Sequence, residues 1–312
     1  MVCSDVINLL GYGVLLYFGV KLFCIVKRIF YPYVIATPID LKKVSGSDWA
    51  AITGSTDGIG KQYAIELSKK GFNIILISRN PSKLEDVKNE IHKISPNVEV
   101  ETITFDFKNT TLDDYEDILI KELRKYEIGI FINNVGLFSE YPDILHKTEG
   151  GLKRISDQII VNTLPVTILT AGVIPQMLER NKGIIINVSS FAGYGRMAEF
   201  NVYSASKRYV IHLTRILQKE YSNTGIIFQC ICPLLVITNM SKAEKTNIFA
   251  PYPNAFVKSA LRTIGHTNET SGYLTHQLQT EGANLLPTFI MDIFLKINNE
   301  QMRGYMKNKS IE

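Results

Sequence analysis

Short apolar runs alternate along the chain with stretches of helical periodicity, and this alternation limits the folds that the chain can adopt. The apolar runs are typical of buried strands, and they are Trp49–Thr53, Ile74–Ile77, Val98–Phe105, Ile128–Ile132, Ile184–Val188 and Ile226–Ile231. The helical stretches between them include Gly60–Lys70, Pro81–Ile94 and Tyr203–Tyr221. Strands that alternate with helices pair in parallel and are covered by helices on both faces. We therefore predict an α/β fold with a doubly wound parallel sheet, in which the apolar segment Ile159–Ile174 is a buried helix.

The first thirty residues are predicted to form a membrane-anchor helix. The segment Val6–Val26 is apolar over about the length that spans a bilayer, and Lys27 and Arg28 follow it directly. Because basic flanks favour the cytoplasmic side, we expect everything downstream to lie in the cytosol. Alternatively, the same helix packs within a soluble dimer.

Prolines and composition divide the rest of the chain. Pro32 and Pro38 mark a linker between the apolar segment and the first strand. We expect an anchor helix (1–30), a linker (31–48), an α/β domain (49–290) and a C-terminal tail (291–312). With 46% hydrophobic residues, 312 residues suffice for one large core.

Charge and metal-ligand patterns exclude several classes of function. Lysine and arginine number 34 against 30 aspartates and glutamates, and the two signs are mixed, so no nucleic-acid partner is expected. The five histidines show no metal-binding spacing, and we expect no metal site. The four cysteines do not suggest a disulfide framework, which favours a reducing compartment.

A glycine-rich turn follows the first strand directly. It reads Thr53-Gly54-Ser55-Thr56-Asp57-Gly58-Ile59-Gly60 and leads into a helix. Glycines in such a turn let backbone N–H groups and the N-terminus of the helix meet a pyrophosphate. We predict that this loop binds a dinucleotide, and a plain strand-to-helix turn is the alternative.

The residues after the next three strands bear on the choice of cofactor. Arg79 stands where NAD-binding proteins carry an acidic residue, and its guanidinium can hold a 2′-phosphate through a forked contact. We therefore predict NADP(H), and a solvated loop arginine is the alternative. Asp106 is a candidate for the adenine amine. The candidates for contact with the adenosine side of the cofactor are Asn133, Asn134, Val135 and Gly136. For each of them, the alternative is an ordinary turn residue.

Candidate chemical groups come later in the chain. Tyr203 and Lys207 lie four residues apart, on one face of a helix. Reduction of a ketone needs a proton for the developing alkoxide, and a neighbouring cation lowers the pKa of a tyrosine enough to supply it. At the end of the fifth strand, where such sheets bind ligands, stand Ser189 and Ser190, between which periodicity does not decide. Asn162 lies in an apolar helix. Taken alone, each group has a structural alternative. The Tyr203–Lys207 pair would then be an exposed helix face, the two serines a turn, and Asn162 a buried amide with satisfied hydrogen bonds.

In this order, the motifs resemble the short-chain dehydrogenase/reductase family from Trp49 to about Pro287. The chain is most similar to the branch with 17β-hydroxysteroid dehydrogenases types 3 and 12, the latter also a very-long-chain 3-oxoacyl-CoA reductase. The residues that carry this resemblance are Gly54–Lys61, Ser78-Arg79, Ile132–Gly136 and the hydrophobic N-terminus. It implies a Rossmann-type fold and a catalytic tetrad of Asn162, Ser190, Tyr203 and Lys207. Family spacing places the serine thirteen residues before the tyrosine, which selects Ser190.

The resemblance also implies roles for single residues. The tyrosine is the general acid, the serine binds the substrate oxygen, the lysine also holds the nicotinamide ribose, and the asparagine holds a water in a proton relay. Implied nicotinamide contacts are Pro233, Val236 and Thr238, although Leu234 stands where the family has glycine. A homodimer that pairs through the Tyr203-bearing helix and a location at the endoplasmic reticulum are implied as well.

The function implied is NADPH-dependent reduction of a ketone on a lipid, either a 17-keto steroid or a long-chain 3-oxoacyl-CoA, in steroid or fatty-acid metabolism. We expect specificity to depend on Met240–Ala260, in which Lys242 and Lys245 are candidates for contact with CoA phosphates. The alternatives are a non-catalytic NADP(H)-binding sensor or scaffold and a soluble reductase of another carbonyl substrate.

Overall fold

The computed structural model describes residues 2–139, 141–243 and 245–309, and its centre is a parallel sheet of seven strands. The strands are β1 (Trp49–Thr53), β2 (Asn73–Ser78), β3 (Val100–Thr104), β4 (Ile128–Asn133), β5 (Gly183–Val188), β6 (Ile226–Ile231) and β7 (Glu269–Thr270). Their order is β3-β2-β1-β4-β5-β6-β7, and every neighbouring pair is parallel. The strand order reverses between β1 and β4, and ligands bind beyond the carboxyl ends of the strands at such a point. The predicted doubly wound sheet is confirmed.

Helices cover both faces of the sheet. In chain order, the helices of the described residues are α1 (Val2–Phe30), α2 (Leu41–Ser45), α3 (Gly58–Ser68), α4 (Pro81–Ile94), α5 (Leu112–Asp114), α6 (Lys121–Leu123), α7 (Gly151–Glu179), α8 (Asn201–Glu220), α9 (Pro253–Arg262), α10 (Leu274–Leu285) and α11 (Thr288–Lys309). Single turns of other helix types occur at Tyr31–Ile35, Tyr115–Ile120, Leu145–Lys147 and Phe191–Gly193.

The core has two layers because the strands are apolar on both sides. The residues Ile74–Ile77 of β2 are all fully buried, and successive side chains point to opposite faces. One layer packs against α3, α4 and α9, and the other packs against the turn 115–120, α7 and the end of α8. Continuous apolar strands of this kind are what a sheet with two covered faces requires.

Some boundaries differ from the predictions. Helix α3 begins two residues earlier than expected because the Asp57 carboxylate accepts a hydrogen bond from the Gly58 N–H at 2.7 Å. Strand β3 is shorter than the predicted run Val98–Phe105. Strand β7 was not predicted, since its two residues form no apolar run. The predicted buried helix Ile159–Ile174 is confirmed within α7, whose most apolar window is half buried in the domain.

The two ends of the chain are more structured than the sequence suggested. The stretch 31–48, predicted as a linker, contains a helical turn and α2 and packs on the domain, with Tyr33 buried against Thr270. The segment that connects α1 to β1 is therefore packed on the domain. Most of the predicted tail 291–312 belongs to α11, and residues 310–312 lie outside the described residues. The helical segment Asn8–Ile35 has a mean hydropathy of 2.0, and none of its most apolar window is buried.

Candidate active site

The glycine loop between β1 and α3 has no room for side chains at its closest approaches. Gly54 and Gly58 adopt left-handed backbone conformations, with φ of 63° and 53°. A Cβ on Gly60 would lie 2.3 Å from the amide nitrogen of Asn134 and 2.4 Å from the carbonyl oxygen of Gly54. The loop therefore lies directly against the segment that follows β4 and leaves its backbone accessible to a ligand.

Thr53 connects these two segments. Its hydroxyl oxygen accepts hydrogen bonds from the N–H groups of Asn134 and Val135, at 2.9 and 3.1 Å. In return, the side-chain amide of Asn134 donates to the carbonyls of Thr53 and Gly54, at 3.0 and 3.2 Å. The ends of β1 and β4 are thus held together at the point where the strand order reverses.

This arrangement fits the phosphates of a dinucleotide. The first N–H groups of a helix have no partner within the helix, and the helix dipole makes that end positive. At the start of α3 these groups belong to Gly58, Ile59 and Gly60, and the Asp57 carboxylate uses only the first of them. The accessible glycine backbone and the N-terminus of α3 provide a site for a pyrophosphate.

The residues predicted to choose the cofactor lie at the neighbouring strand ends. Ser78, the last residue of β2, has its hydroxyl 3.1 Å from that of Thr56, so the second strand is tied to the glycine loop. Arg79 follows on the surface, and its guanidinium forms no ion pair with any residue that the structure describes. Asp106 is also exposed, and one of its carboxylate oxygens accepts the N–H of Lys108.

Two residues predicted to contact the cofactor direct their side chains into the protein. Asn133 is buried, and its amide nitrogen donates to Thr170 and Asn187, at 2.9 and 2.8 Å. Val236 belongs to the hydrophobic core. These two side chains therefore fill the interior between the sheet and its helices, and the cofactor contacts of Asn133 and Val236 stay predictions.

Two further predicted contacts lie in the loop after β6. Pro233 is buried, and its carbonyl accepts a hydrogen bond from the N–H of Phe191 at 2.9 Å, which holds the turn after Ser190. The side chain of Thr238 lies beside Gly58, since its Cγ2 atom would be 3.0 Å from a Cβ at that position. Thr238 is thus adjacent to the glycine loop, as expected of a contact to the same ligand.

The structure distinguishes the two serines that periodicity left open, and between which the family resemblance selects Ser190. Ser189 is buried, and its hydroxyl donates to the carbonyl of Lys207 at 2.7 Å, which ties β5 to α8. The Ser190 hydroxyl oxygen accepts the N–H of Ala192 at 3.2 Å, and Ser190 is the side chain whose hydrogen bonding lowers the pKa of the Tyr203 phenol. The geometry therefore favours Ser190 as the serine that acts together with Tyr203.

Burial governs the acidity of Tyr203 and Lys207. It raises the pKa of the Tyr203 phenol above its ordinary value, and the hydrogen bond with Ser190 acts in the opposite sense. It lowers the pKa of Lys207 to about 8. The Lys207 ammonium donates to the carbonyl of Val188 at 3.0 Å and lies 5.8 Å from the centre of the Tyr203 ring. The expected lowering of the Tyr203 pKa by Lys207 is therefore not the dominant effect here, because both groups are removed from water.

Asn162 orders the segment after β4. Its amide oxygen accepts the N–H of Leu137 at 2.7 Å, and its amide nitrogen donates at 3.0 Å to the Leu137 carbonyl and to the hydroxyl of Ser206. Gly136 lies between Asn162 and Lys207, since a Cβ there would be 3.4 Å from both side chains. A cavity of about 10 Å³ lined by Asn162 and Lys207 lies beside them. That volume is at the lower limit for one water molecule.

An aromatic wall beside Tyr203 was not predicted. The ring of Phe138 meets the Tyr203 ring edge-on, with centroids 4.8 Å apart, and stacks on Phe200 at 5.2 Å. Phe138 lies only two residues past Gly136, so its place after a strand end was the one signal that the sequence offered. The wall makes the surroundings of the phenol apolar.

His276 was also missed, because a lone histidine carries no spacing signal. Its Nδ1 atom lies 3.4 Å from the N–H of Leu234, and its Nε2 atom lies 3.0 Å from the carbonyl of Phe249. Burial lowers its pKa to about 4, so the ring is neutral near pH 7. His276 thereby joins the loop after β6 to the predicted substrate loop.

A larger cavity than the one beside Lys207 lies apart from the tyrosine. It has a volume of about 740 Å³ and lies between the start of α3 and the loop after β6, where Asp57, Lys61, Thr238 and Tyr252 contribute to its lining. Neither Ser190 nor Tyr203 lines it. We place the reacting centre at the strand ends instead, because the hydroxyl and ammonium groups converge there.

Comparison with known proteins agrees with this geometry. The short chain dehydrogenase family matches residues 48–248, and the chain belongs to this family of oxidoreductases. It therefore binds a nicotinamide cofactor.

Two similar relatives match nearly the whole chain. Putative steroid dehydrogenase 1 of Caenorhabditis elegans is 50% identical over 94% of this chain and 93% of its own length. A very-long-chain 3-oxoacyl-CoA reductase of the same organism is 49% identical over 95% and 93%. A solved structure of a short-chain dehydrogenase from Sphingobium yanoikuyae in complex with NADPH is 27% identical, with a TM-score of 0.60 over 68% of this chain and 82% of its own.

Proposed function

We propose that the chain reduces a ketone to a hydroxyl group on a long apolar lipid, with NADPH as the reductant. The observation that carries the proposal is the convergence of Ser190, Tyr203 and Lys207 next to a dinucleotide loop. The relatives described as a steroid dehydrogenase and as a 3-oxoacyl-CoA reductase support a lipid substrate. Activity with a panel of ketones distinguishes a 17-keto steroid from a 3-oxoacyl-CoA as the substrate.

In the proposed mechanism, the carbonyl oxygen of the substrate lies between the hydroxyls of Ser190 and Tyr203. A reduced nicotinamide, when bound, contributes a hydride to the carbonyl carbon. Ser190 donates a hydrogen bond that orients the oxygen. Tyr203 gives its proton to the oxygen as negative charge develops there. The positive charge of Lys207, 5.8 Å from the Tyr203 ring centre, stabilises the phenolate that remains.

Asn162 and the small cavity beside Lys207 complete the proposed tetrad. Both N–H donors of the Asn162 amide and one lone pair of its oxygen are used by Leu137 and Ser206, so this side chain acts as a positioning group. A water molecule in the cavity of about 10 Å³ would contact the Lys207 ammonium and relay a proton back to Tyr203.

We propose that the cofactor is NADPH rather than NADH. Arg79 is exposed and unpaired among the described residues, at the end of the strand tied to the glycine loop, and can take a 2′-phosphate in a forked contact. Asp106 and Asn134 then line the adenosine side. Arg79→Glu is expected to lower kcat/KM for NADPH by about tenfold or more, through loss of a charged hydrogen bond and repulsion. It is expected to leave NADH use nearly unchanged.

Lys93→Glu is the matched control for this change. Lys93 is exposed at the far end of α4, so the same reversal of charge there is expected to leave the preference for NADPH intact. If Arg79→Glu lowers kcat/KM equally for NADPH and NADH, the assignment of Arg79 to the 2′-phosphate is contradicted.

We also propose that the chain is attached to the endoplasmic-reticulum membrane by residues 1–30, with the domain 49–290 in the cytosol as a homodimer. The most apolar window of the helical segment Asn8–Ile35, none of which is buried, and the basic residues Lys27 and Arg28 support attachment and orientation. Carbonate extraction of the full chain tests the anchor, since release to the supernatant would contradict it. Chemical cross-linking in mild detergent tests the dimer.

The substrate class is tested with a panel of ketones. The panel contains 3-oxoacyl-CoAs of rising chain length, estrone and androstenedione, each with NADPH and with NADH. We expect NADPH oxidation with at least one lipid ketone and little with short, water-soluble ketones. The absence of turnover with every lipid ketone would overturn the proposed function.

A further inference from the structure

The last helix, α11, turns its polar side towards the protein. Asp292 forms an ion pair with Arg196 at 3.2 Å, and the amide of Asn299 donates to the carbonyl of Ala198 at 3.1 Å. One turn later, Arg303 pairs with Glu199. The spacing of 292, 299 and 303 puts these residues on one face of a helix. This face fastens α11 to the loop that separates Ser190 from Tyr203.

The opposite side of α11 is apolar and exposed. Its large side chains follow the spacing of one helix face, and between 38% and 62% of each is exposed: Phe289, Ile290, Ile293, Phe294 and Ile297. A helix of a water-soluble domain normally has the reverse arrangement, with apolar residues inside and polar residues outside. A continuous exposed face of this kind marks an interaction surface.

The position of α11 identifies the partner. Arg28, near the end of α1, holds Glu281 of α10 in a two-pronged ion pair, with N–O distances of 2.7 and 2.9 Å. Helix α10 ends at Leu285, and α11 begins three residues later. The apolar face therefore starts close to the point where the proposed anchor leaves the bilayer. Exposed Leu278 and Leu285 of α10 lie between the two.

We infer that α11 lies flat in the membrane surface, with its apolar face among the lipid acyl chains, as a second attachment besides α1. An interfacial helix of this kind buries its apolar face about 5–10 Å into the boundary between headgroups and acyl chains. Because its polar face holds residues 196–199, the contact brings the surroundings of Tyr203 next to the lipid. A lipid ketone can then reach the site without crossing water. The inference rests on the proposed membrane attachment.

The single tryptophan of the chain makes a direct test possible. Trp49→Phe removes the natural fluorophore, and Phe294→Trp then places a reporter on the apolar face. Leu112→Trp in the same background is the matched control, because Leu112 is 57% exposed and follows β3, at the edge of the sheet opposite β7. Ile297→Trp is a second reporter on the same face, should the first variant fold poorly.

The full chain is reconstituted into phosphatidylcholine–phosphatidylserine vesicles with brominated or ordinary acyl chains. We expect bromination to reduce the emission of the Phe294→Trp protein about twofold or more, and that of the Leu112→Trp protein hardly at all, given the depth of an interfacial helix. Equal quenching of reporter and control, in protein that floats with the vesicles, would overturn the inference and leave the anchor in place. Protein that does not float would overturn both.

Two further outcomes separate the alternatives. In the first, the reporter is not quenched, its emission shifts to shorter wavelength, and the chain cross-links to itself. This result would show that a second copy covers α11, which contradicts a lipid contact. NADPH oxidation with the ketone panel is measured on the same vesicles. Quenching without turnover would leave the lipid contact standing and contradict only the proposed function.

Discussion

Replacement of Gly60 by alanine tests how closely the glycine loop and the segment after β4 are fitted together. A Cβ at this position would lie 2.3 Å from the amide nitrogen of Asn134 and 2.4 Å from the carbonyl oxygen of Gly54. The Asn134 side chain must therefore move and give up its hydrogen bonds to the carbonyls of Thr53 and Gly54. Since the second contact is with backbone, the loop must shift as well.

The magnitude follows from these contacts. Each lost hydrogen bond costs about 0.5–1.5 kcal/mol, and overpacking in a tight site costs about 1–3 kcal/mol. Alanine in a helix returns up to about 1 kcal/mol. We expect a net loss of about 2–4 kcal/mol in the free energy of unfolding, which corresponds to a fall in Tm of about 3–6 °C for a chain of this size.

Thermal unfolding of the full chain in detergent micelles, followed by circular dichroism at a fixed scan rate, measures this loss. Gly282→Ala is the control, since Gly282 lies in α10 and no atom is within 4 Å of its added Cβ. That variant is expected to be as stable as wild type or slightly more stable. A Gly60→Ala protein that unfolds at the wild-type temperature would refute the reasoning.

Two further predictions concern the proposed tetrad. Ser190→Ala is expected to lower kcat by about 10²–10³, as for removal of one oriented donor at a developing oxyanion. Ser189→Ala is expected to cost about 1 kcal/mol of stability, with a much smaller loss of kcat. Similar kcat values in the two variants would contradict the distinction between the serines. Because burial lowers the pKa of Lys207 to about 8, the folded protein binds fewer protons than the unfolded chain between that value and the ordinary lysine value. The unfolding free energy of wild type should therefore rise by about 2 kcal/mol relative to Lys207→Met between pH 8 and pH 10. Urea denaturation of both proteins at several pH values measures it. A difference in unfolding free energy that stays constant with pH would show that the Lys207 pKa is not lowered.

The sequence predicted the sheet well because its strands are apolar on both faces. A run such as Ile74–Ile77 favours a buried strand, because it is short and rich in β-branched residues. Strand β7 could not be found in this way, because two residues without an apolar pattern are recognised only by their pairing with Cys230 and Ile231.

Long-range contacts explain the remaining differences at the site. Periodicity does not separate Ser189 from Ser190, because the hydrogen bond from Ser189 to the Lys207 carbonyl joins residues eighteen positions apart. The effect of Lys207 on Tyr203 was overestimated, because spacing shows which groups are near each other and not how far both are removed from water. Likewise, the apolar and polar faces of α11 are visible in the sequence, but which face meets the domain depends on Arg196 and Glu199, about a hundred residues earlier.

The account depends most directly on proton transfer from Tyr203. The decisive measurement compares NADPH oxidation by wild type and Tyr203→Phe over the panel of lipid ketones, with the hydroxyl product identified and NADPH binding followed by fluorescence. We predict turnover by wild type with at least one lipid ketone, a rate lower by about 10²–10⁴ in Tyr203→Phe, and NADPH binding that is little changed. Equal rates in the two proteins, or no turnover in either while both bind NADPH, would contradict the proposed chemistry.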